Sequence, residues 1–301
     1  MRLFHTVFRA MAAEHELLLW SDDEARARRA AEAAISDVHR IEAKYSRYRD
    51  DSVTSRVNSA AGGAPVVIDA ETEALLSYAD ECHRLSGGRF DLTSGVLRRV
   101  WDFRRQPPQI PDAAALAAAT ALIGWNRVER GAGAVRLPVA GMEIDFGGVG
   151  KEYAADRAAT LCAEHGIRHG LVNLGGDVRA TGPQPDGAPW RVGIRHPRRD
   201  GAAIATVLLE SGAVATSGDY ERYFEIAGQR YCHILDPRTG RPAAHWQSVS
   251  VVASLCVVAG SCATIAMLMG PDAESFLREQ GLRYVVVDAD GALRGAAADG
   301  I

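Results

Sequence analysis

From Gly170 onward the chain repeats one pattern: a short apolar run, a turn marked by glycine or aspartate, then another such run. Residues 170–182, 190–196, 204–209, 213–242, 247–254 and 284–287 all read this way. Strands this close in sequence join as hairpins. The pattern therefore selects an α+β fold, with mostly antiparallel or mixed sheets flanked by helices, over a doubly wound one. The pair Gly175-Gly176 inside the first of these runs reads as a bulge or a close backbone approach.

The first half supplies helices. Residues 3–20 read as a strand or hairpin bending at Met11. Over 22–45 the apolar positions Ala31, Ala34, Ile35, Val38, Ile41 and Tyr45 recur at helical spacing, with Ser21, Asp22 and Asp23 as cap candidates. Residues 70–86 give a second amphipathic helix stopped by Gly87-Gly88, and residues 111–123 a third begun at Asp112. Residues 135–146 read as a hairpin, because Met142, Ile144 and Phe146 alternate with Glu143 and Asp145. Residues 258–269 and 271–280 read as helices. No repeat and no long linker breaks the 301 residues, so one domain is expected over 1–301.

A net charge of -4 argues against non-specific nucleic-acid binding. The five cysteines form no CxxC pair, which points to reduced thiols. No apolar run of about 20 residues is visible, so no membrane span is expected. Residues 1–20 carry neither a signal-peptide pattern nor a lipidation cysteine. The expected location is the cytoplasm, or the periplasm if an export segment has been removed.

Four polar stretches carry chemistry. Residues 233–242 pack His233, Asp236, Arg238 and Thr239 into a loop closed by Gly240 and Pro242. Residues 145–151 (DFGGVGK) lead from a strand into a helix. Free amides and the helix dipole there suit an anion, with Lys151 adding a full charge; tight glycine packing is the other reading. The spacing fits neither a Walker A loop nor GxGxxG. Residues 46–58 form a polar loop with room for one helical turn, where Tyr48 either stacks on a planar ligand or lies on the surface. Residues 87–95 (GGRFDLTSG) either bring backbone amides and Asp91 to a ligand or simply stop a helix.

Taken together, SRYRDDSVTSRVN, GGRFDLTSG, IDFGGVGKEYAADRA, LVNLGGDVRATG and AVATSGDYERYFE with HILDPRTGRP resemble, in this order, the FAD:protein FMN transferases, or ApbE-type flavin transferases. The resemblance runs from about Met11 to Gly270. It implies transfer of the FMN half of FAD, through a phosphoester, to a Thr or Ser hydroxyl of a target flavoprotein. AMP leaves, and a divalent metal, usually Mg2+, assists. It implies FAD contacts at Met11, Tyr48, Arg89, Phe90, Asp91, Asp145, Lys151 and Leu235, and metal contacts at Gly148 and Thr264. His233 and Asp236 are candidates for the base that deprotonates the acceptor hydroxyl.

One departure stands out. The family usually carries Ala-Asp-x-x-x-Thr on the late helix, and the Asp binds metal; here the run is Ala259-Gly260-Ser261-Cys262-Ala263-Thr264. Asp236 and Asp219 are candidates to replace the lost carboxylate. The glycine loop also reads Gly-Lys-Glu where many relatives have Ala-Lys-Gly, a smaller change. Two alternatives follow: a non-catalytic FAD-binding protein, in which Gly260→Asp should raise metal-dependent activity, and a FAD pyrophosphatase using water as acceptor.

Overall fold

The computed structural model describes residues 1–295. The chain opens with a hairpin, β1 (Arg2–Ala10) and β2 (Ala13–Ser21). Helices α1 (Glu24–Tyr45) and α2 (Val53–Ser59) follow, then β3 (Val66–Val67), α3 (Ala70–Leu85) and α4 (Ala113–Thr120). Strands β4 (Glu129–Gly131) and β5 (Ala134–Arg136) precede α5 (Gly150–Glu164). Next come β6 (His169–Leu174), β7 (Asp177–Ala180), β8 (Trp190–Arg195), β9 (Ala203–Leu209) and β10 (Gly212–Gly218). Strands β11 (Tyr223–Ile226), β12 (Gln229–Cys232) and β13 (Trp246–Ala253) lead to α6 (Cys256–Met269) and α7 (Ala273–Glu279). The described chain ends with β14 (Arg283–Asp288) and β15 (Leu293–Arg294).

The main sheet has eight strands in the order β1-β2-β6-β7-β10-β13-β14-β15, and every neighbouring pair is antiparallel. The α+β expectation therefore holds. Alternation sorts the faces: along β10, Ala213 and Ala215 join the core under α1, α5 and α6, while Val214 turns to the other side. There the β8–β9 hairpin covers it with Trp190, Ile194 and Val207. The long helices start where capping residues allow: Asp23 accepts from Ala25 N at α1, and Asp69 accepts from Thr72 N at α3.

Three expectations need correction. Residues 142–146 are not a strand. Met142, Ile144 and Phe146 are buried as their alternation implies, but Ile144 exchanges both backbone bonds with the Asn58 side chain, and Asp145 N donates to Leu92 O. A side-chain amide thus replaces the partner strand. Gly175-Gly176 is not a bulge but the two-residue turn of the β6–β7 hairpin, with φ of +62° and +97°. Positive φ at both centres is what such a turn needs, and glycine adopts it without strain. Finally, against the expectation of no long apolar run, Cys256–Glu279, which holds α6 and α7, is long and apolar enough to cross a membrane, its most apolar 18-residue stretch having a mean hydropathy of 1.4. Its apolarity serves the core: Ala259, Ala263, Ile265 and Met267 are all buried.

Candidate functional site

Antiparallel register brings the Met11-Ala12 turn, the Gly175-Gly176 turn and the last residues of β10 to one end of the sheet. The N-terminus of α5 sits over them. A Cβ placed on Gly175 would stand 3.6 Å from Ala13 Cβ, 3.7 Å from His15 Cε1 and 3.8 Å from Lys151 Nζ. Both hairpins and the first turn of α5 therefore meet at that glycine.

Lys151 Nζ lies 2.6 Å from Asp177 Oδ2. Burial alone would lower the lysine pKa, but attraction to Asp177 and Glu152 outweighs it, so the ammonium stays charged. Glu152 is only 7% exposed, and its Oε2 has no hydrogen-bond partner. Burial, then the charge of Asp177, hold its carboxyl above the ordinary range, with Lys151 opposing. One turn further along α5, Asp156 accepts from Cys256 N at 2.8 Å and Val257 N at 2.9 Å, capping α6 and fixing it to α5. About two turns further along α6, Thr264 Oγ1 is 2.8 Å from Ser217 Oγ on β10.

The missing carboxylate of α6 is explained here. A Cβ on Gly260 would fall 2.4 Å from Glu152 Cγ and 2.9 Å from Oε1. Glu152 occupies the space in front of Gly260. The sequence-based substitutes are otherwise engaged: Asp219 is gripped by Arg198 at 2.7 and 2.6 Å, and Asp236 by Arg238 at 3.0 and 2.7 Å. Gly260→Asp, expected to raise metal-dependent activity if the protein is non-catalytic, would place its side chain where Glu152 stands, so one of the two must shift.

Around this centre the other loops close in. Arg47 pairs with Asp145, donates to Tyr48 OH at 3.1 Å and lies over the Tyr48 ring at 5.1 Å. Burial would raise the Tyr48 pKa, but the hydrogen bond and charge of Arg47, with Arg222, bring it below its ordinary value. Tyr48 itself is 72% exposed, open for a ring to lie against. His233 is pulled down to about 4 by burial, with Arg222 and Lys151 adding repulsion, and its Nδ1 has no partner. Arg222 thus acts on Tyr48 and His233 alike, which ties the 46–58 loop to the 233–242 loop. Lys151 acts on His233 and on His15, whose two ring nitrogens are buried without partners.

Not every expected contact is free to act. Asp91 has both oxygens engaged: Oδ1 accepts from Thr93 N and Oγ1, and Oδ2 from Trp125 N. Its carboxylate caps the turn that opens at residue 92 and ties it to Trp125, the helix-stop side of the two readings the sequence offers. Phe90 is buried, its ring 3.2 Å from a Cβ placed on Gly148, and so props the glycine loop from below. Leu235 packs in an aromatic cluster with Trp101 and Phe224. Asp236 sits below the ordinary carboxylate range: burial pushes up, but Arg238 and a bond from its backbone N–H win. That leaves Asp236 a poorer proton acceptor than neutral His233. Met11 N donates to Glu42 Oε1 at 2.7 Å, holding the first turn in place. Arg89 lies near enough to the loop for its charge to act on Asp236.

Sequence reasoning missed Arg47, Arg222, His15 and Glu152 as site residues. His15 had a signal, since it shares the inward parity of Leu17 and Leu19 on β2. Glu152 had one as well, in the Gly-Lys-Glu change read together with Gly260. Arg47 and Arg222 had none beyond polarity.

Among the described residues no group of three His, Cys, Asp or Glu gathers as a metal cluster. A cation here would rely on one carboxylate with hydroxyl, carbonyl and phosphate oxygens. Positions 260 and 264 lie one turn apart on the same face of α6, so Glu152 and the Thr264 hydroxyl approach that face together. A buried carboxylate oxygen without a partner, set against the face of α6 that also carries Thr264, suits a hard divalent cation such as Mg2+.

A glycine loop opening a helix, a charged lysine on its first turn and a neutral histidine within its field define an α+β protein with a positive helix start beside an uncharged imidazole. The chain belongs to the ApbE family, whose match covers residues 6–295. It is 32% identical over 278 residues to the FAD:protein FMN transferase of Klebsiella pneumoniae (strain 342), covering 89% of this chain and 79% of that protein. It is 34% identical over 288 residues to the enzyme of that name from Treponema pallidum, covering 88% and 80%. The crystal structure of the Thermotoga maritima ApbE protein superposes with a TM-score of 0.91 at 32% identity, covering 99% of this chain and 98% of that one. The apo form of the Pseudomonas stutzeri flavinyl transferase ApbE gives 0.88 at 27% identity, covering 99% and 96%.

Proposed function

We propose that this protein transfers the FMN portion of FAD to a hydroxyl of a target flavoprotein, with AMP leaving. The acceptor is a Thr or Ser side chain, and the new bond is a phosphoester. The observation that carries this reading is the meeting of Lys151, the Gly147-Gly148 loop and His233 at one end of the sheet. Phosphoryl transfer needs mainly positioning and neutralisation of charge on the transferring oxygens. Lys151 and the positive end of the α5 dipole supply positive potential for a diphosphate. The exposed Tyr48 ring offers a face for one ring system of the dinucleotide.

His233 is neutral at physiological pH and takes the proton of the attacking hydroxyl. The cations that depress its pKa, Arg222 and Lys151, are the ones a bound diphosphate would offset, so substrate raises its basicity when it is needed. A Mg2+ ion held by Glu152, Thr264 and the Gly148 backbone would supply further charge neutralisation on the phosphate oxygens. The Glu152 side chain in front of Gly260 weighs against the reading of a degenerate, non-catalytic protein, because it offers a carboxylate where α6 has none.

The test incubates the protein with FAD, Mg2+ and a flavoprotein domain bearing an acceptor threonine. Expected are a covalently fluorescent band and release of AMP. Lys151→Ala and His233→Gln should each lower the rate by at least about 100-fold. AMP release with no protein-bound flavin would instead select the hydrolase reading.

A further inference from the structure

Glu152 is unusual for a buried acid. A carboxylate removed from water without partners is costly, and such groups are normally paired or bound to a metal. Here Oε2 is unpartnered and the side chain is 7% exposed. Lys151, its neighbour, is already paired with Asp177 at 2.6 Å. The carboxylate lies across α6 only because residue 260 has no side chain: a Cβ there would overlap Glu152 Cγ at 2.4 Å. On the same face of α6, one turn on, stands Thr264, whose hydroxyl shares a 2.8 Å contact with Ser217 Oγ.

We propose that Glu152 is the carboxylate ligand of a divalent cation in this chain, reaching from α5 into the space that Gly260 leaves open on α6. The pair Glu152/Gly260 is one unit: the acid fills the gap, and the gap admits the acid. Thr264 supplies a second oxygen, and the phosphates of a bound dinucleotide supply more. This assignment rests on the phosphoryl-transfer reading only for the phosphate oxygens.

The test measures Mn2+ binding by its EPR signal, with the ion alone and with FAD, and no acceptor protein. Wild type should bind Mn2+, more tightly with FAD. Glu152→Gln should weaken binding by more than about 10-fold. Gly260→Asp alone should lower the melting temperature through the clash with Glu152. The double variant E152G/G260D removes the clash and restores a carboxylate from the other helix, so it should recover both the melting temperature and most of the Mn2+ affinity. The assignment is overturned if wild type shows no Mn2+ binding in either condition, if E152Q binds like wild type, or if the folded double variant stays as weak as E152Q. A protein that fails to transfer flavin but shows Glu152-dependent Mn2+ binding would sink the functional reading and leave this one standing.

Discussion

His233 is held neutral by its setting, and that has a measurable cost. Its pKa is about 4 in the fold, against an ordinary value of 6.5. Between those values the unfolded chain binds the proton and the folded chain does not, so stability falls as pH drops from 6.5 to 4. The contribution is roughly 3 kcal/mol across that window. Replacing His233 with Gln should flatten this part of the curve, seen as a smaller loss of melting temperature between pH 6.5 and 4. An unchanged slope would mean that His233 titrates normally. At this scale the sequence disclosed less than it contained. Lys151 and His233 stood out because their neighbours are glycine, proline and aspartate. Asp91 looked like a ligand because its bonds to Thr93 and Trp125 are invisible in one dimension. Glu152 was seen only as a small change, because its meaning depends on a glycine on another helix.

Periodicity made most elements readable. Helices α1 and α3 and strands β8, β9 and β13 fall where apolar spacing and turn residues place them. Residues 142–146 failed because burial alternation is the same whether the partner is a strand or the Asn58 amide. The first hairpin shows a different limit. Its turn residues, Met11 and Ala12, both have positive φ, at +49° and +61°. L side chains reach that region at a cost of order 1 kcal/mol each. Ala12→Gly should therefore stabilise the protein by about 0.5–1 kcal/mol, read from urea unfolding. If stability drops instead, the alanine methyl makes a contact that outweighs the strain.

The main sheet draws its strands from both ends of the described chain, β1 at one edge and β15 at the other. All five cysteines are buried and free. Burial pushes the Cys162 thiol up to about 12 and Cys232 up to about 11, far from the reactive thiolate. In native protein none of the five should react with a thiol reagent over minutes, and all should become reactive together as urea unfolds the chain. A fast-reacting thiol in native protein, or reaction in two separated steps, would count against one cooperative unit.

The reach of Glu152 into the gap at Gly260 also bears on how such a protein can change over generations. Acid at both positions collides, and acid at neither loosens the hold on the ion, so each single replacement passes through an impaired ancestor. The two sites must travel as a linked pair, and a search that scores only the late helix would discard working enzymes as dead.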